Sequence, residues 1–433
     1  MDPVAIGVLA IVLMLALIFV GVPIGFALAL VGAGGNMLFA GLGPTLMQFQ
    51  LVAWETGTNF LLIAAPLFIL MGQLVYHSGI AADLYDCAHK WLGRMPGGLA
   101  VTAVITSAGF GAVTGSSIAA VHTMGAMVMP EMRRYGYDMR LATGAVASAG
   151  TLAILIPPSI ALIVYGVWTE TSIGALFIAG VVPGVALALL FAVLIVARCT
   201  LAPELGPPGP RYSWAERFAS LAKLAPTAGI FLLVLGGIYG GAFTPSEASA
   251  IGCAGVLVIA LAMRRMTWRR LVASLREAGS VAAMVYMIIL GGILISRFLV
   301  QTQVTPSLVA WIGALDVDRT LVMVLFTLMY LVLGAILDTF GMIILTLPFV
   351  FPVILHLGYD RVWFGIYLTV MVELALITPP VGLNVYVMNN VAPDVKLMDI
   401  FRGCVPFALA TLLLVAMLFA WPQMALWLPS TME

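Results

Sequence analysis

The same pattern of residues occurs twice in this chain, at an offset of 222 positions. Each copy contains a proline, a Gly-Tyr-Asp triplet and, nineteen residues after the aspartate, a pair of adjacent prolines. The two copies are Pro130, Gly136, Tyr137, Asp138, Pro157 and Pro158, and Pro352, Gly358, Tyr359, Asp360, Pro379 and Pro380. A Pro-Pro pair interrupts a helix, and paired interruptions in two corresponding halves are typical of secondary transporters. The duplication therefore predicts a carrier whose binding site is built from two related halves.

The composition places these two halves in a membrane. Sixty-three per cent of the residues are hydrophobic and only 9% are charged, whereas about a quarter of the residues in soluble domains are charged. The long apolar runs predict membrane-spanning helices at ten places. Their predicted bounds are 4–20, 23–41, 60–77, 141–167, 174–198, 225–243, 247–263, 279–300, 362–388 and 404–427. The chain is thus predicted to be an all-α polytopic membrane protein.

The distribution of basic residues predicts an orientation in the membrane. With the N-terminus outside, all but three of the 19 Lys and Arg residues fall on the inner side, the exceptions being Arg297, Arg319 and Arg361. The positive-inside rule therefore predicts an outer N-terminus, and an even number of spans places the C-terminus outside as well. The proline-rich stretch 200–223 is predicted to be the inner linker between the halves.

Two further apolar segments contain polar residues near their middle and are predicted to be re-entrant helical hairpins. In the first, 98–130, the arms on either side of the polar residues are roughly 20 Å long at 1.5 Å per residue. That is too short for a hydrocarbon core of about 30 Å. The corresponding segment of the second half is 320–352. An odd number of predicted spans separates the hairpins, so they enter from opposite sides and the repeat is predicted to be inverted.

Each hairpin tip is expected to face a broken helix that offers oxygen atoms. Pro157 and Pro158 leave the carbonyl groups of 153–156 without helical donors. Carbonyl and hydroxyl oxygens suit a small cation such as Na⁺, and the N-terminus of the half-helix that starts near Ser159 suits an anion. These groups predict two cation sites beside one anionic substrate. The other contributing residues are Thr114, Ser116 and Ser117 at the first tip, and Asp338, Thr339, 375–378, 379–380 and Asn384 in the second half.

Some of these features also have simpler interpretations. A Pro-Pro pair can be only a kink, and Asp338 is either a site carboxylate or an acid exposed to water at a hairpin tip. Arg297 either extends to the membrane interface or contacts an acidic substrate. The stretches 80–94 and 305–318 are either interfacial arms or connecting helices. A membrane enzyme would need a nucleophile–base or metal constellation, which the sequence does not suggest, and a channel would need a continuous polar path.

The motifs at these positions resemble those of the large membrane subunit of tripartite ATP-independent periplasmic (TRAP) transporters, which belong to the ion-transporter superfamily. The resemblance extends from one end of the chain to the other. Its motifs are Pro-Leu-Phe-Ile-Leu-Met-Gly at 66–72, Gly-Ala-Val-Thr-Gly-Ser-Ser at 111–117, Leu-Ile-Pro-Pro-Ser at 155–159, Phe-Thr-Pro-Ser-Glu-Ala at 243–248 and Leu-Ile-Thr-Pro-Pro-Val-Gly-Leu-Asn at 376–384.

The resemblance implies a bacterial inner-membrane importer, not an enzyme, with both termini periplasmic. Members of the family have a scaffold and a transport domain that moves as an elevator. They carry organic acids such as C4-dicarboxylates or sialic acids, with Na⁺ as the coupling ion and no other cofactor. The implied partners are a small four-helix membrane subunit and a periplasmic substrate-binding protein, both expected to be separate chains, and no nucleic acid. A stand-alone Na⁺/dicarboxylate symporter is the alternative.

The resemblance also assigns roles to individual residues. By motif, it implies Na⁺ ligands at Thr114, Ser116, Ala153, Ile156 and Pro158, and at Ile336, Thr339, Ala375 and Thr378. Substrate contacts are expected at Ser117, Ser159, Asp338, Pro380 and Asn384.

The expected domains are the N-terminal scaffold helices 1–78, the first arm, hairpin and broken helix 79–173, further scaffold helices 174–304, the second arm, hairpin and broken helix 305–390, and a C-terminal helix 391–433.

Overall fold

A computed structural model of the protein describes residues 2–314, 318–334 and 337–432. Within these ranges all regular structure is helical, as the composition predicts. The α-helices are Pro3–Phe19 (α1), Ile24–Ala40 (α2), Leu42–Thr58 (α3), Ala64–Ser78 (α4), Ile80–Leu92 (α5), Gly98–Thr114 (α6), Ser117–Arg134 (α7), Met139–Ala149 (α8), Leu152–Leu155 (α9), Ile160–Thr169 (α10), Ile173–Leu201 (α11), Trp214–Tyr239 (α12), Pro245–Ala262 (α13), Trp268–Gln301 (α14), Val304–Ala314 (α15), Arg319–Leu333 (α16), Thr339–His356 (α17), Arg361–Ala375 (α18), Leu383–Val391 (α19), Leu397–Ala420 (α20) and Gln423–Leu426 (α21).

Seven of the described helical segments are long and apolar enough to cross a membrane, and counting the bent helix α12 as one span gives an eighth. One of the seven, Met139–Thr169, contains the first Pro-Pro pair. Helices α1 and α2 are apolar but have only 17 residues each. The helices therefore confirm an all-α polytopic membrane protein, while the number of helices that cross the bilayer stays a prediction.

The structure departs most from the sequence-based bounds in three places. Helix α3 occupies residues 42–58, where the sequence predicts no span because polar residues such as Gln48 and Glu55 interrupt the apolar pattern. Helix α12 begins at Trp214, inside the predicted linker 200–223, because Ser213 and Glu216 form a capping box there. Helix α14 begins at Trp268, well before the predicted span 279–300, because a polar amphipathic stretch precedes the apolar residues.

The two arms of each predicted hairpin are helices that contact each other. Helices α6 and α7 pack together, and the hydroxyls of Tyr330 in α16 and Thr346 in α17 lie 2.9 Å apart. Each hairpin is followed by a broken helix, α8–α10 in the first half and α18–α19 in the second, and the Pro157–Pro158 and Pro379–Pro380 peptide bonds are cis. The elements thus recur in the same order, while the inversion of the repeat stays a prediction.

Helix α18 of the second half lies in the core of the protein. Every residue from Trp363 to Ala375 is buried. Two hydrogen bonds fix its first turn: the Tyr165 hydroxyl of α10 donates to the carbonyl oxygen of Arg361 at 2.6 Å, and Trp363 Nε1 donates to the carbonyl oxygen of Leu418 at 3.0 Å. The second half is therefore packed directly on the broken helix of the first half.

Ion pairs bring the end of the first hairpin to the same face as the start of α20. Arg133 at the end of α7 pairs with Asp394, and Arg140 Nε lies 3.0 Å from Asp399 Oδ1. The hydrogen bond from Arg133 holds the pKa of the Asp394 carboxyl below its usual value. This arrangement agrees with the prediction that the basic residues around the first hairpin and near Arg402 share one side of the membrane.

Glycines allow the backbones of α2 and α14 to approach closely. A Cβ added to Gly32 would lie 2.5 Å from the backbone nitrogen of Ile295, and one added to Gly291 would lie 2.5 Å from the carbonyl oxygen of Gly25. The side chain of Asn36 in α2 also donates to the carbonyl oxygen of Leu294 at 3.2 Å. Small residues at such contacts are typical of membrane helix pairs.

Replacing Gly32 with alanine is expected to destabilise the protein, because the added methyl group overlaps backbone atoms that cannot move independently. Such overpacking costs about 1–3 kcal/mol. Gly34 in the same helix is the matched control, since a Cβ there meets nothing within 4 Å. Thermal unfolding of the purified full chain tests this: the midpoint falls for Gly32→Ala and stays unchanged for Gly34→Ala. Equal midpoints for the two variants would contradict the close packing of α2 on α14.

Candidate functional site

The tip of the first hairpin lies directly against the first broken helix. Gly115 follows α6 with a φ of +59°, and the hydroxyl of Ser116 caps the N-terminus of α7. A Cβ on Gly115 would lie 3.1 Å from the carbonyl oxygen of Pro158, and a Cβ on Gly111 would lie 2.2 Å from Cα of Ala153. Glycine at these two positions therefore lets the tip reach the break.

The first break offers carbonyl oxygens that have lost their helical donors. Pro157 and Pro158 have no N–H, so the carbonyl groups four residues earlier, at Ala153 and Ile154, cannot form their helical hydrogen bonds with them. Helix α10 then starts at the far side of the break, where the hydroxyl of Ser159 accepts a hydrogen bond from the backbone at 3.3 Å. The whole break is buried.

The second break has a different hydrogen-bonding pattern. A Cβ on Gly334 would lie 1.9 Å from Cβ of Ala375, so the second hairpin also contacts its broken helix closely. The carbonyl oxygen of Ala375 accepts from the backbone N–H of Thr378 at 3.2 Å, and that of Leu376 accepts from the N–H of Asn384 at 3.1 Å. The two breaks therefore present their carbonyl groups differently, although the sequence pattern is the same.

Both hairpin tips reach one cavity of about 640 Å³. Helices α7 and α17 begin at its wall, so the partly positive N-termini of two helices lie there. Helices α4 and α14 also contribute to its lining. The polar lining residues used below are Thr114, Ser116 and Ser117 of the first tip, Asp338 and Thr339 of the second, Gln73 of α4, His122 of α7, Glu277 of α14 and Asn390 of α19.

The predicted ligands divide into those that line this cavity and those that lie elsewhere around the breaks. The first group contains Thr114, Ser116, Ser117, Asp338 and Thr339. The second group contains Ala153, Ile156, Pro158 and Ser159, all buried, together with Ala375, Thr378, Pro380 and Asn384, of which Pro380 is exposed. Ile336 lies outside the described residues. The roles of all these residues as ligands stay predictions.

Ser117 and Asn384, both expected to contact substrate, are hydrogen-bonded to each other. The Ser117 hydroxyl lies 3.0 Å from Asn384 Oδ1 and 2.7 Å from Nδ2, and Nδ2 also donates to the carbonyl oxygen of Ala147 at 3.2 Å. Both side chains are fully buried. The pair joins the first hairpin to the second broken helix, and thus connects the two halves of the site.

The structure places the two residues for which the sequence left alternatives open. Asp338 lines the cavity and also caps α17, because its Oδ1 accepts from the N–H of Gly341 at 2.9 Å. Arg297 Nη2 lies 3.6 Å from Glu55 Oε2, between α14 and α3. Arg297 is not among the described residues that line the cavity.

Glu373 is a buried carboxylic acid that the sequence interpretation missed. It lies in α18, two positions before Ala375, and is 1% exposed. Neither carboxyl oxygen has a hydrogen-bond partner among the described residues. The sequence did carry a signal, because a single acid within the apolar run 362–378 is a functional candidate in any membrane helix.

The chemistry of these groups suits a weakly held monovalent cation and a small anion. Hydroxyl and carbonyl oxygens are hard ligands of the kind that alkali cations prefer, and helix N-termini attract anions. Among the described residues, no group of three or more His, Cys, Asp or Glu side chains is placed to hold a metal ion. The lining thus supplies the kinds of group that bind a small cation and an anion.

Comparisons with known proteins agree with this geometry. A family model for the DctM component of the tripartite ATP-independent periplasmic transporters matches residues 11–424. The C4-dicarboxylate TRAP transporter large permease protein of Pseudomonas aeruginosa is 36% identical over 407 residues, which cover 93% of this chain and 94% of the relative. The ectoine TRAP transporter large permease protein of Halomonas elongata is 32% identical, covering 96% and 97%. The crystal structure of the YdaH transporter of Alcanivorax borkumensis shares the fold, with a TM-score of 0.58 at 15% identity over 98% of this chain and 99% of that one.

Proposed function

This chain belongs to the DctM component family of tripartite ATP-independent periplasmic transporters, and we propose that it imports an organic acid across the bacterial inner membrane, driven by Na⁺. The observation that supports this most directly is that both hairpin tips reach a common cavity and that each contacts its own broken helix. A midplane site built from two such halves suits alternating access.

The two proposed Na⁺ sites lie where each hairpin tip meets its broken helix. Oxygen atoms of the first tip and carbonyl groups of the first break would form one site, and this proposal is supported by the carbonyls that the prolines leave without helical donors. The second site would use the hydroxyls of Thr339 and Thr378 with the carbonyl of Ala375. The full proposed sets are Thr114, Ser116, Ala153, Ile156 and Pro158, and Ile336, Thr339, Ala375 and Thr378.

The proposed substrate is a small organic acid bound between the hairpin tips. Two helix N-termini supply partial positive charge at the cavity, and the relatives named above carry C4-dicarboxylates and ectoine. The proposed contacts are Ser117, Ser159, Asp338, Pro380 and Asn384. Ser117 of the first half and Asn384 of the second are hydrogen-bonded to each other. A substrate that contacts this pair would therefore contact both halves at the point where they meet.

The proposed partners and mechanism follow from the family. A small four-helix membrane subunit would pack on the scaffold, and a periplasmic binding protein would deliver the acid to a chain whose two termini lie in the periplasm. The transport domain, formed by the hairpins and broken helices, would move as an elevator against the scaffold. The cavity supports this division, since α4 and α14, which belong to the expected scaffold, line it together with the hairpin tips.

Uptake of radiolabelled carboxylates into proteoliposomes tests the proposal. The chain is reconstituted with its small subunit, with and without the binding protein and an inward Na⁺ gradient. We expect uptake that requires both the gradient and the binding protein. Uptake driven by the gradient alone would instead favour a stand-alone symporter. Uptake that ignores Na⁺ would refute the two cation sites.

A further inference from the structure

The cavity contains two carboxylates, yet its described lining has a single side chain that can carry a positive charge, His122. Neither Lys nor Arg is among the described lining residues. Glu277 is already paired, because His77 Nε2 lies 3.2 Å from its Oε2, and Asp338 caps α17. An anion that extends beyond the hairpin tips therefore meets one candidate positive side chain, on α7.

The position of His122 on α7 points its ring into the cavity rather than into the protein core. Ile118 and His122, one helical turn apart, are exposed and line the cavity, whereas Val121 and Met124 on the adjoining face are fully buried. Within the described residues, the His122 ring forms no hydrogen bond with a protein atom. Its donor capacity is therefore available to a ligand.

Helix α19 places an amide in the same part of the cavity. Its residues Leu383, Val387 and Asn390 line the wall at helical spacing. Helices α7 and α19 are in contact here, since a Cβ on Gly125 would lie 3.1 Å from the side chain of Val391. His122 and Asn390 thus belong to adjacent helices that share one wall, and Gln73 of α4 lines the same cavity.

We propose that His122, with Asn390, forms a selectivity subsite for a second acidic or hydrogen-bond-accepting group of the transported acid. This rests on the proposed function, which places the first carboxylate at the hairpin tips. His122 follows Ser117 by five residues, a rise of roughly 7.5 Å along the helix. The subsite therefore suits a compact acid with two polar ends and disfavours a monocarboxylate with an apolar tail. An imidazole N–H can donate whether the ring is neutral or protonated, and the Asp338 and Glu277 carboxylates make an unpaired anion elsewhere in the cavity unfavourable.

Kinetics of uptake with paired substrates test this subsite. The chain, with its small subunit and binding protein, is assayed with succinate and with butyrate, which has the same carbon chain but only one carboxylate. For His122→Ala we expect the KM for succinate to rise about tenfold or more, because a hydrogen bond to a charged group is lost. Butyrate uptake and the Na⁺ concentration for half-maximal uptake are expected to stay within about twofold. His122→Gln, which keeps an N–H donor, should be intermediate, and His356→Ala, an exposed histidine away from the cavity, should match the wild type. An unchanged KM for succinate in His122→Ala would overturn the proposal.

A second measurement does not depend on transport. In His122→Cys the new thiol should react with a negatively charged methanethiosulfonate reagent, while the four native cysteines are buried. Succinate, N-acetylneuraminate or ectoine should slow this reaction if it occupies the subsite. Protection without Na⁺-driven uptake by the wild type would refute the proposed function and keep the subsite. Na⁺-driven uptake without protection by any transported acid would refute the subsite and keep the function, and failure of both would refute both.

Discussion

Replacing Pro158 or Pro380 with alanine is expected to abolish Na⁺-driven uptake while the protein still inserts into the membrane. Alanine restores a backbone N–H and removes the ring that obstructs the preceding turn. The new N–H can donate to the carbonyl four residues earlier, that of Ile154 or Leu376. We expect the helix to close there and to turn the neighbouring carbonyl oxygens, which are the proposed Na⁺ ligands, away from the site. The expected loss is at least about a hundredfold for each variant, because neither proposed cation site works without its carbonyl groups.

Substitution of the proline should reduce uptake more at the first break than at the second. Pro158 lies in a fully buried segment. Gly111 and Gly115 of the first hairpin contact this break directly, so its backbone has no space in which to shift. Pro380 is exposed, and the carbonyl groups of Ala375 and Leu376 already accept other backbone donors. We therefore expect Pro158→Ala to lose more of its Na⁺-driven uptake than Pro380→Ala.

The matched control is Pro406→Ala, which makes the same chemical change inside the uninterrupted helix α20. It is expected to insert, unfold at a similar temperature and transport normally. Uptake and membrane insertion are measured for all three variants in the same proteoliposomes. Full transport by both Pro158→Ala and Pro380→Ala would refute the proposal that the breaks hold cations.

The hairpins and breaks could be predicted because each depends on local sequence. Arms too short for the bilayer on either side of Gly115 predict a re-entrant hairpin, and structure places the turn there. A Pro-Pro pair removes two backbone N–H donors wherever it occurs, so the helix break at Pro157 could also be predicted from the sequence. The resemblance of the motifs to one transporter family was confirmed by the match over residues 11–424.

Contacts between distant residues could not be predicted from these patterns. Ser117 and Asn384 are 267 positions apart, and no periodicity in either helix indicates that they bind each other rather than a ligand. The different hydrogen bonding of the second break depends on Asn384 N–H reaching back to Leu376, which is a tertiary adjustment. Helical spacing likewise fixes which residues share a face with His122, but only packing decides whether that face meets the core or the cavity.

Helix α3 shows the limit of hydropathy as a predictor. Its sequence mixes Trp54 and Phe49 with Gln48, Gln50 and Glu55, so no window reads as a membrane span. In the structure Gln50 and Glu55 are exposed, Gln48 is half-buried, and Glu55 pairs with Arg297. An amphipathic helix at the membrane interface can place apolar side chains towards lipid and polar side chains towards water, and it needs no long apolar run to do so.

Replacing Glu373 with methionine is expected to stabilise the protein and to reduce transport. The carboxyl group is fully buried, and neither oxygen has a donor among the described residues. A buried polar group without a hydrogen bond costs about 1–3 kcal/mol, and methionine introduces no such group. A residue that destabilises the fold in this way is retained where it has a function, and Glu373 is the nearest acid along the chain to the proposed ligand Ala375.

The test is therefore a pair of measurements on one variant, the thermal unfolding midpoint and the initial rate of Na⁺-driven uptake. For Glu373→Met we expect a midpoint raised by a few degrees and uptake reduced at least about tenfold, because a buried acid within a membrane helix is retained for function. Glu204→Met, an exposed acid in the linker, should change neither quantity. A raised midpoint with normal uptake would mean that the carboxyl group has no role in transport. A lowered midpoint would mean that the carboxyl group is stabilised in the membrane by an interaction that the folded chain alone does not provide.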